Sequence, residues 1–360
     1  MDVIFCTSEF PPGPGGIGMQ AYALSMEFYK RGASIHVITA ARKEFGHEDF
    51  DKSQPFKITR YDIGSSNFYK LYTHLKLFWC YRKKAPYFIL SGSAQQLLAF
   101  LIRLIFDAKI IQILHGHEVL MVRGIKKELL KASLRWCNYV IAVSEFSKNI
   151  LLRNGIDVPV RVIPNGVYIK EDSKVTRNRN HPVHLITVGS VTHRKGQINV
   201  VHALPFIKQI VGSVEYHLVG IPFEKKVVFE TANNLGVADV VFIHGVLADI
   251  RRDEILSNSH IFMMLSQNLQ NGDVEGFGIA VLEANAFGIP AIGSRDTGVE
   301  QVIKHGVTGL LVNPLEPLEV ACAVKEILNN YSEFSENSKR WASEHRWEQI
   351  SERYWEMMIS

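Results

Sequence analysis

The stretch HLITVGSVTHRKGQINVVHALPFIKQI, residues 184–210, decides the architecture. His184 to Val188 reads as a short strand, Gly189 to Gly196 as a loop holding Arg194 and Lys195, and Gln197 to Ile210 as an amphipathic helix. Strand, glycine loop and helix in direct succession form the repeating step of a parallel sheet covered by helices. The same alternation runs outward in both directions. VIFCT, HVITA, YFIL, IIQIL, YVIAV and VRVI supply strands before this stretch, and EYHLV, VVFI, HIFMML, PAIG and GLLV supply them after it. Near-continuous apolar strands belong to sheets buried on both faces, so the expected class is α/β with two Rossmann-like, doubly wound parallel-sheet domains.

The expected spans are 1–170 for the first domain and 182–344 for the second, with a polar linker at 171–181 inside the sequence IKEDSKVTRNRNH. The segment from Trp341 to Met358 reads as helical and aromatic, and residues 345–360 are free to pack back on the first domain. With 360 residues, 47% apolar and 21% charged, the chain has room for two cores and excludes collagen, extended disorder and a disulfide miniprotein. A net charge of +4 argues against a nucleic-acid binder, yet it hides a division. Residues 1–180 carry 26 basic against 15 acidic side chains and residues 181–360 carry 14 against 21, hence +11 and −7. Two domains with different partners, one of them anionic, are expected from that asymmetry.

Cys6, Cys80, Cys137 and Cys322 are far apart and form no CxxC pair, as reduced thiols of a cytoplasmic protein would be. The opening MDVIFCTSEFPP lacks the basic region of a signal peptide. Leu97 to Leu114 is interrupted by Arg103, Asp107 and Lys109, too charged for a membrane span, and reads as a helix followed by a strand.

Three loops carry chemistry. Glu275-Gly276-Phe277-Gly278-Ile279 opens an apolar helix that continues to Glu283 and Ala284, so the amides of Phe277 to Ile279 form an anion site at a helix N-terminus. Eight residues separate the two carboxylates, which places them about two turns apart on neighbouring faces. In the loop from Gly189 and Ser190 to Gly196, Arg194 and Lys195 stand at the carboxyl end of a parallel strand, where their charge suits a diphosphate. Gly13, Gly15 and Gly18, with Gly16 between them, satisfy GxGxxG. Ala41-Arg42-Lys43 replaces the acidic ribose ligand that a dinucleotide site requires, which weakens an NADP-dependent oxidoreductase as the alternative reading.

Together, GGIG near the start, Pro-Asn165-Gly-Val at the seam, GSVTHRKGQ, EGFGIAVLEA, GIPAIGS and GVTGLLVNP resemble the retaining glycosyltransferases of family 4, whose fold is GT-B. HGHEV and GDVEGFGIAVLEA are most similar to the phosphatidylinositol mannosyltransferase-like branch. The resemblance implies a hexosyltransferase with a nucleotide-sugar donor, GDP- or UDP-linked, in a cleft between the domains, and a lipid-linked or glycan acceptor. It implies that Glu283 binds the ribose hydroxyls and that Glu275, with the amides from Gly276 to Ile279, faces the donor sugar. Arg194 and Lys195 then meet the diphosphate, Gly15 and Gly16 make room for the donor, and His115 contacts the transferred sugar, with His117 the fallback. Asn165, Gly189 and Ser190 join the donor site. Ser190 replaces a frequent arginine of the family, and Thr297-Gly-Val-Glu-Gln301 replaces its Gly-Gly-x-Pro-Glu pattern.

No cofactor and no metal are expected. Asp49-Phe-Asp51 resembles a metal-binding DxD but lies in a charged loop with no strand before it. On the acceptor side, Val119 to Ile125 is apolar, and Arg123, Lys126, Lys127, Lys131 and Arg135 follow in a pattern suited to the anionic inner face of a membrane. A catalytically silent GT-B binding subunit is the remaining alternative.

Overall fold

The computed structural model describes residues 1–41, 46–62, 74, 79, 81, 86–92, 98–169 and 182–360. The linker expected at 171–181, Arg42, Lys43 and Cys80 lie outside them. The chain divides into two compact units, Met1–Asn165 with Trp347–Ser360, and Gly166–Arg346, against the 1–170 and 182–344 read from sequence.

The first unit is built on β1 (Asp2–Thr7), β2 (Ser34–Ala41), β3 (Lys57–Asp62), β4 (Tyr87–Ser91), β5 (Lys109–Leu114), β6 (Tyr139–Ala142) and β7 (Val160–Val162). These form one parallel sheet in the order β3-β2-β1-β4-β5-β6-β7. β1 and β5 are buried along nearly their whole length because helices cover both faces, which is why their sequences are apolar without alternation. β3, sequence KITRYD, is absent from the sequence reading. It is an edge strand in which only Tyr61 is buried, so it carries no apolar run.

Asp51 corrects another expectation. Residues His47–Ser53 form a helix, and the Asp51 carboxylate accepts two bonds from Arg60, from Nε and Nη2, both at 2.8 Å. That bidentate pair occupies the carboxylate, so the DxD resemblance has a structural explanation.

The expected continuous helix from Trp341 to Met358 is broken. Tyr331–Ser343 is one helix and Trp347–Ile359 another. Between them, the backbone N–H of Val167 donates to His345 O at 2.8 Å, and Trp341 Nε1 donates to Val302 O at 2.9 Å, which holds the end of the first helix to the second unit. The last helix completes the first unit. Its Trp355 packs on Phe28 with ring centres 5.5 Å apart, and its Glu348 O accepts from Arg31 at 3.3 Å.

The second unit contains β8 (Val183–Val188), β9 (Val214–Val219), β10 (Val241–Gly245), β11 (Ile261–Met264), β12 (Ala291–Ser294) and β13 (Gly309–Val312). They form a parallel sheet in the order β10-β9-β8-β11-β12-β13. Helices Gln197–Val211 and Pro317–Asn329 bury Val200, Leu204, Val320 and Val324 against Leu185, Tyr216 and Met263. Strand order reverses between β1 and β4 and again between β8 and β11. At such switch points the loops after the strands part and leave room for a ligand beyond their carboxyl ends.

Among the described residues no helix is long and apolar enough to cross a membrane. Cys6, Cys137 and Cys322 are free thiols; burial pushes the Cys6 pKa well up and that of Cys137 to about 12.

Candidate functional site

In the second unit the loops that follow β8, β11 and β12 close on one another. Gly196, at φ 69°, is the reason the first two meet: a Cβ there would stand 1.7 Å from Leu265 O. The Asn199 side chain donates to that same oxygen at 3.0 Å, and Gln267 N–H donates to Arg194 O at 2.8 Å. Gly298 performs the equivalent service for the third loop. Its N–H donates to Glu275 O at 2.9 Å, and a Cβ there would lie 2.2 Å from the Gly276 carbonyl carbon. Glu300, in the stretch that departs from the family pattern, accepts from Asp296 N–H at 2.8 Å, so its carboxylate closes its own loop.

These closures bring Glu275, Arg194 and Lys195 together. Glu275 Oε2 lies 2.5 Å from Arg194 Nη1 and 2.6 Å from Lys195 Nζ, and Arg194 Nε lies 3.0 Å from Asp273. Burial alone would raise the Glu275 pKa, but Lys195 and Arg194 outweigh it and hold the carboxyl at about 2. Burial would likewise lower that of Arg194, and Glu275 and Asp273 reverse the sign. Glu275 and Arg194 are both charged at pH 7 in a half-buried setting, where Coulomb interactions exceed their value in bulk water.

Gly278, at φ 89°, caps the helix Ile279–Ala286 that starts beside this cluster. The first amides of that helix have no acceptor within it and carry its positive dipole end. Gly276 and Phe277 are buried and Ile279 half-buried. Glu283 lies half-buried on the same helix. Its charge reaches Arg252 of the helix Asp249–Asn258, whose guanidinium also binds Asp249 and Asp253, each at 2.9 Å. Asp273 and Arg252 were not singled out in the sequence, because their significance comes from partners far along the chain. Gly189 and Ser190 follow β8 directly and are half-buried.

In the first unit Gly16 opens the helix Gly16–Lys30 after β1 and is exposed, while a Cβ at Gly15 would meet the Glu9 carboxylate at 2.0 Å. His115 follows β5. Its Nε2 pairs with Ser91 Oγ at 3.0 Å, its N–H donates to Glu118 Oε2 at 3.0 Å, and its carbonyl accepts from Ser147 Oγ at 3.0 Å. Burial is the main cause that pushes its pKa down to about 4, against an opposing pull from Glu118, so the ring is neutral at pH 7. A neutral imidazole held at Nε2, on a backbone pinned at both its N–H and its carbonyl, can offer or accept a hydrogen bond in a fixed direction; it does not supply a proton at that pH. Asn165 is 3% exposed and accepts from Gln20 Nε2 at 2.6 Å.

The basic segment of the first unit is partly committed. Lys127 donates to Asn154 Oδ1 at 3.1 Å and Lys131 pairs with Glu128 at 2.9 Å. Arg123, Lys126 and Arg135 are exposed. Val119 is fully buried, whereas Met121, Ile125 and Leu129 stand 60%, 81% and 49% exposed, the last two one turn apart on the helix Ile125–Arg135.

Two family models cover nearly the whole chain: Glycosyltransferase Family 4 matches residues 14–171 and Glycosyl transferases group 1 matches residues 169–346. A GDP-mannose-dependent alpha-(1-6)-phosphatidylinositol monomannoside mannosyltransferase of Mycobacterium tuberculosis is 26% identical, covering 91% of this chain and 89% of that protein. N-acetyl-alpha-D-glucosaminyl L-malate synthase of Bacillus anthracis is 25% identical over 94% of this chain and 91% of its own. The structure of Anabaena Alr3699/HepE in complex with UDP superposes with a TM-score of 0.81 at 18% identity over 100% of both chains. Sucrose-phosphate synthase from Thermosynechococcus elongatus reaches 0.80 at 19% identity, over 99% of this chain and 98% of that one. The superpositions establish the fold, and the family matches displace the oxidoreductase reading. The chain belongs to the family 4, group 1 glycosyltransferases of GT-B fold and is a hexosyltransferase.

Proposed function

We propose that this glycosyltransferase takes a hexose from a GDP- or UDP-sugar and transfers it, with retention of anomeric configuration, to a lipid-linked or glycan acceptor. The observation that carries the reading is the Glu275–Arg194–Lys195 cluster at the mouth of the helix Ile279–Ala286. Breaking a sugar–phosphate bond leaves cationic character on the sugar and negative charge on the departing diphosphate. Two cations and a helix N-terminus beside a permanently ionised carboxylate are arranged to stabilise both.

In this mechanism the diphosphate takes hydrogen bonds from Arg194, Lys195 and the amides of Phe277 to Ile279, with no metal required. Glu275, acceptor-only at pH 7, turns to the donor sugar hydroxyls. Glu283 accepts from the ribose hydroxyls, and His115 makes its neutral contact with the transferred sugar. No residue in this set is assigned as a covalent nucleophile. The leaving phosphate accepts the acceptor's proton on the face from which the acceptor attacks, which retains configuration.

The acceptor comes to the first unit, where Met121, Ile125 and Leu129 beside Arg123, Lys126 and Arg135 suit the anionic cytoplasmic face of a membrane. Relatives named for phosphatidylinositol mannoside synthesis and the 26% identity to them support a lipid-linked acceptor. A thermal-shift screen with UDP, GDP and their sugars tests the donor assignment. A ligand at about 100 times its Kd stabilises the native state by about 2.7 kcal/mol. One nucleotide series is expected to raise Tm, and Glu283→Ala to abolish the rise; no shift with any nucleotide sugar would sink the reading.

A further inference from the structure

At the β8–β9–β10 side of the second sheet, three strands bring a set of imidazoles and one carboxylate together. β8 and β9 pair His184 with Glu215, and His217 lies two residues further along β9. Glu215 Oε2 is 3.4 Å from His217 Nε2 and 3.8 Å from His184 Nε2, and one donor atom from each of the three residues lies within 4.8 Å of the others. We propose that His184, Glu215 and His217 form a binding site for a single divalent transition-metal ion of the zinc type, with a fourth coordination position open to water.

The geometry fits the ion. Bonds of about 2.0–2.2 Å in tetrahedral arrangement put neighbouring donor atoms about 3.3–3.6 Å apart. The two observed carboxylate–imidazole separations already lie close to that range. His217 Nε2 is buried and has no hydrogen-bond partner, an orphan that a metal would satisfy. Its other nitrogen, Nδ1, lies 3.0 Å from His244 Nε2 of β10. When Nδ1 donates to His244, the lone pair of His217 is left on Nε2, facing the carboxylate. An outer hydrogen bond of this kind sets the tautomer and direction of a metal-binding imidazole. His260 holds the other side: its Nδ1 accepts the backbone N–H of His184 at 3.0 Å. Two neutral imidazoles with one carboxylate suit zinc and its first-row neighbours better than calcium or magnesium, which take oxygen ligands.

The site is separate from the proposed chemistry. His184 precedes Gly189 by five residues, about 16 Å along an extended strand. Its expected effect is therefore on the stability of the sheet edge formed by β8, β9 and β10.

The test uses the full chain freed of any histidine tag and stripped with chelator, titrated with zinc alone and read by equilibrium dialysis with metal analysis. Cobalt(II) serves as a spectroscopic probe of tetrahedral nitrogen and oxygen ligation. One equivalent of zinc is expected, with a raised Tm. Glu215→Gln, His184→Gln and His217→Gln should each weaken binding at least about tenfold, and His244→Phe by about 10–100-fold through loss of the outer bond. Circular dichroism checks that each variant folds, and the partly exposed Glu215 and His184 provide variants less prone to misfold than His217. Stripped wild type that takes up no zinc, or folded ligand variants that bind zinc as tightly as wild type, would overturn the site.

Discussion

Lys195 Nζ and Glu275 Oε2 stand 2.6 Å apart across 80 residues of sequence, and Arg194 shares the same carboxylate oxygen at 2.5 Å. The carboxylate proposed for the sugar and the cations proposed for the diphosphate are thus each other's partners before a donor arrives. Donor binding must exchange those pairings, and the energetic consequence depends on which partner is removed.

Glu275→Gln removes the internal counter-ion while it keeps the shape. Affinity for free UDP or GDP, by titration calorimetry, is expected to hold or rise, because two cations are released to the diphosphate. Turnover is expected to fall on the order of a hundredfold, the usual cost of a lost electrostatic contact to the reacting group. A parallel loss of nucleotide affinity would contradict the exchange of partners.

Lys195→Ala is expected to act the other way. A charge-assisted hydrogen bond is worth about 1.5–3 kcal/mol, so nucleotide affinity should drop about 10–100-fold. Glu275 keeps Arg194 as partner, and the fold should persist in circular dichroism.

Gly196→Ala places a methyl 1.7 Å from Leu265 O at a positive φ. The loops after β8 and β11 then separate, and chemical denaturation should show destabilisation of more than about 1 kcal/mol, the lower bound from backbone strain alone. Gly236→Ala, also at positive φ but with open space around it, isolates the strain contribution and should cost less.

Acid should destabilise the first unit through His36 and His115. Burial is the principal cause that places both near pKa 4, with Lys57 assisting at His36, against 6.5 in an unfolded chain. The unfolded state therefore binds more protons between pH 6.5 and 4, and stability falls as pH drops through that window. Each histidine contributes a slope of up to about 1.4 kcal/mol per pH unit. His36→Gln should flatten the dependence of Tm on pH between 6.5 and 4; an unchanged slope would refute the assignment.

Ile125→Glu should reduce co-sedimentation with vesicles containing anionic lipid and leave nucleotide-induced stabilisation intact. High salt should weaken the vesicle interaction more than nucleotide binding, since exposed charges are screened and half-buried ones much less so. Equal sedimentation of variant and wild type would remove the membrane reading of this face.

Much of the fold was legible because buried parallel strands announce themselves as apolar runs. Among the described residues, twelve of thirteen strands coincide with such runs, and β3 does not because an edge strand with one buried residue has no such run. The helix break at Glu344–Arg346 was missed for a different reason: the contacts from Val167 and Val302 that hold it come from elsewhere in the chain.

Local residue patterns are enough to specify two α/β sheets, the glycine loops at their strand ends and the types of charged residue placed there. Tertiary structure alone decided how those charges are used. It tied Lys127 and Lys131 to local partners while leaving Met121 and Ile125 exposed, filled Asp51 with Arg60, and set Glu275 between Arg194 and Lys195. It also collected His184, Glu215 and His217 on one face of neighbouring strands. The physical reason is range: hydrophobic periodicity is local along the chain, whereas the field at a charged group is set by whichever groups the fold brings within a few ångströms.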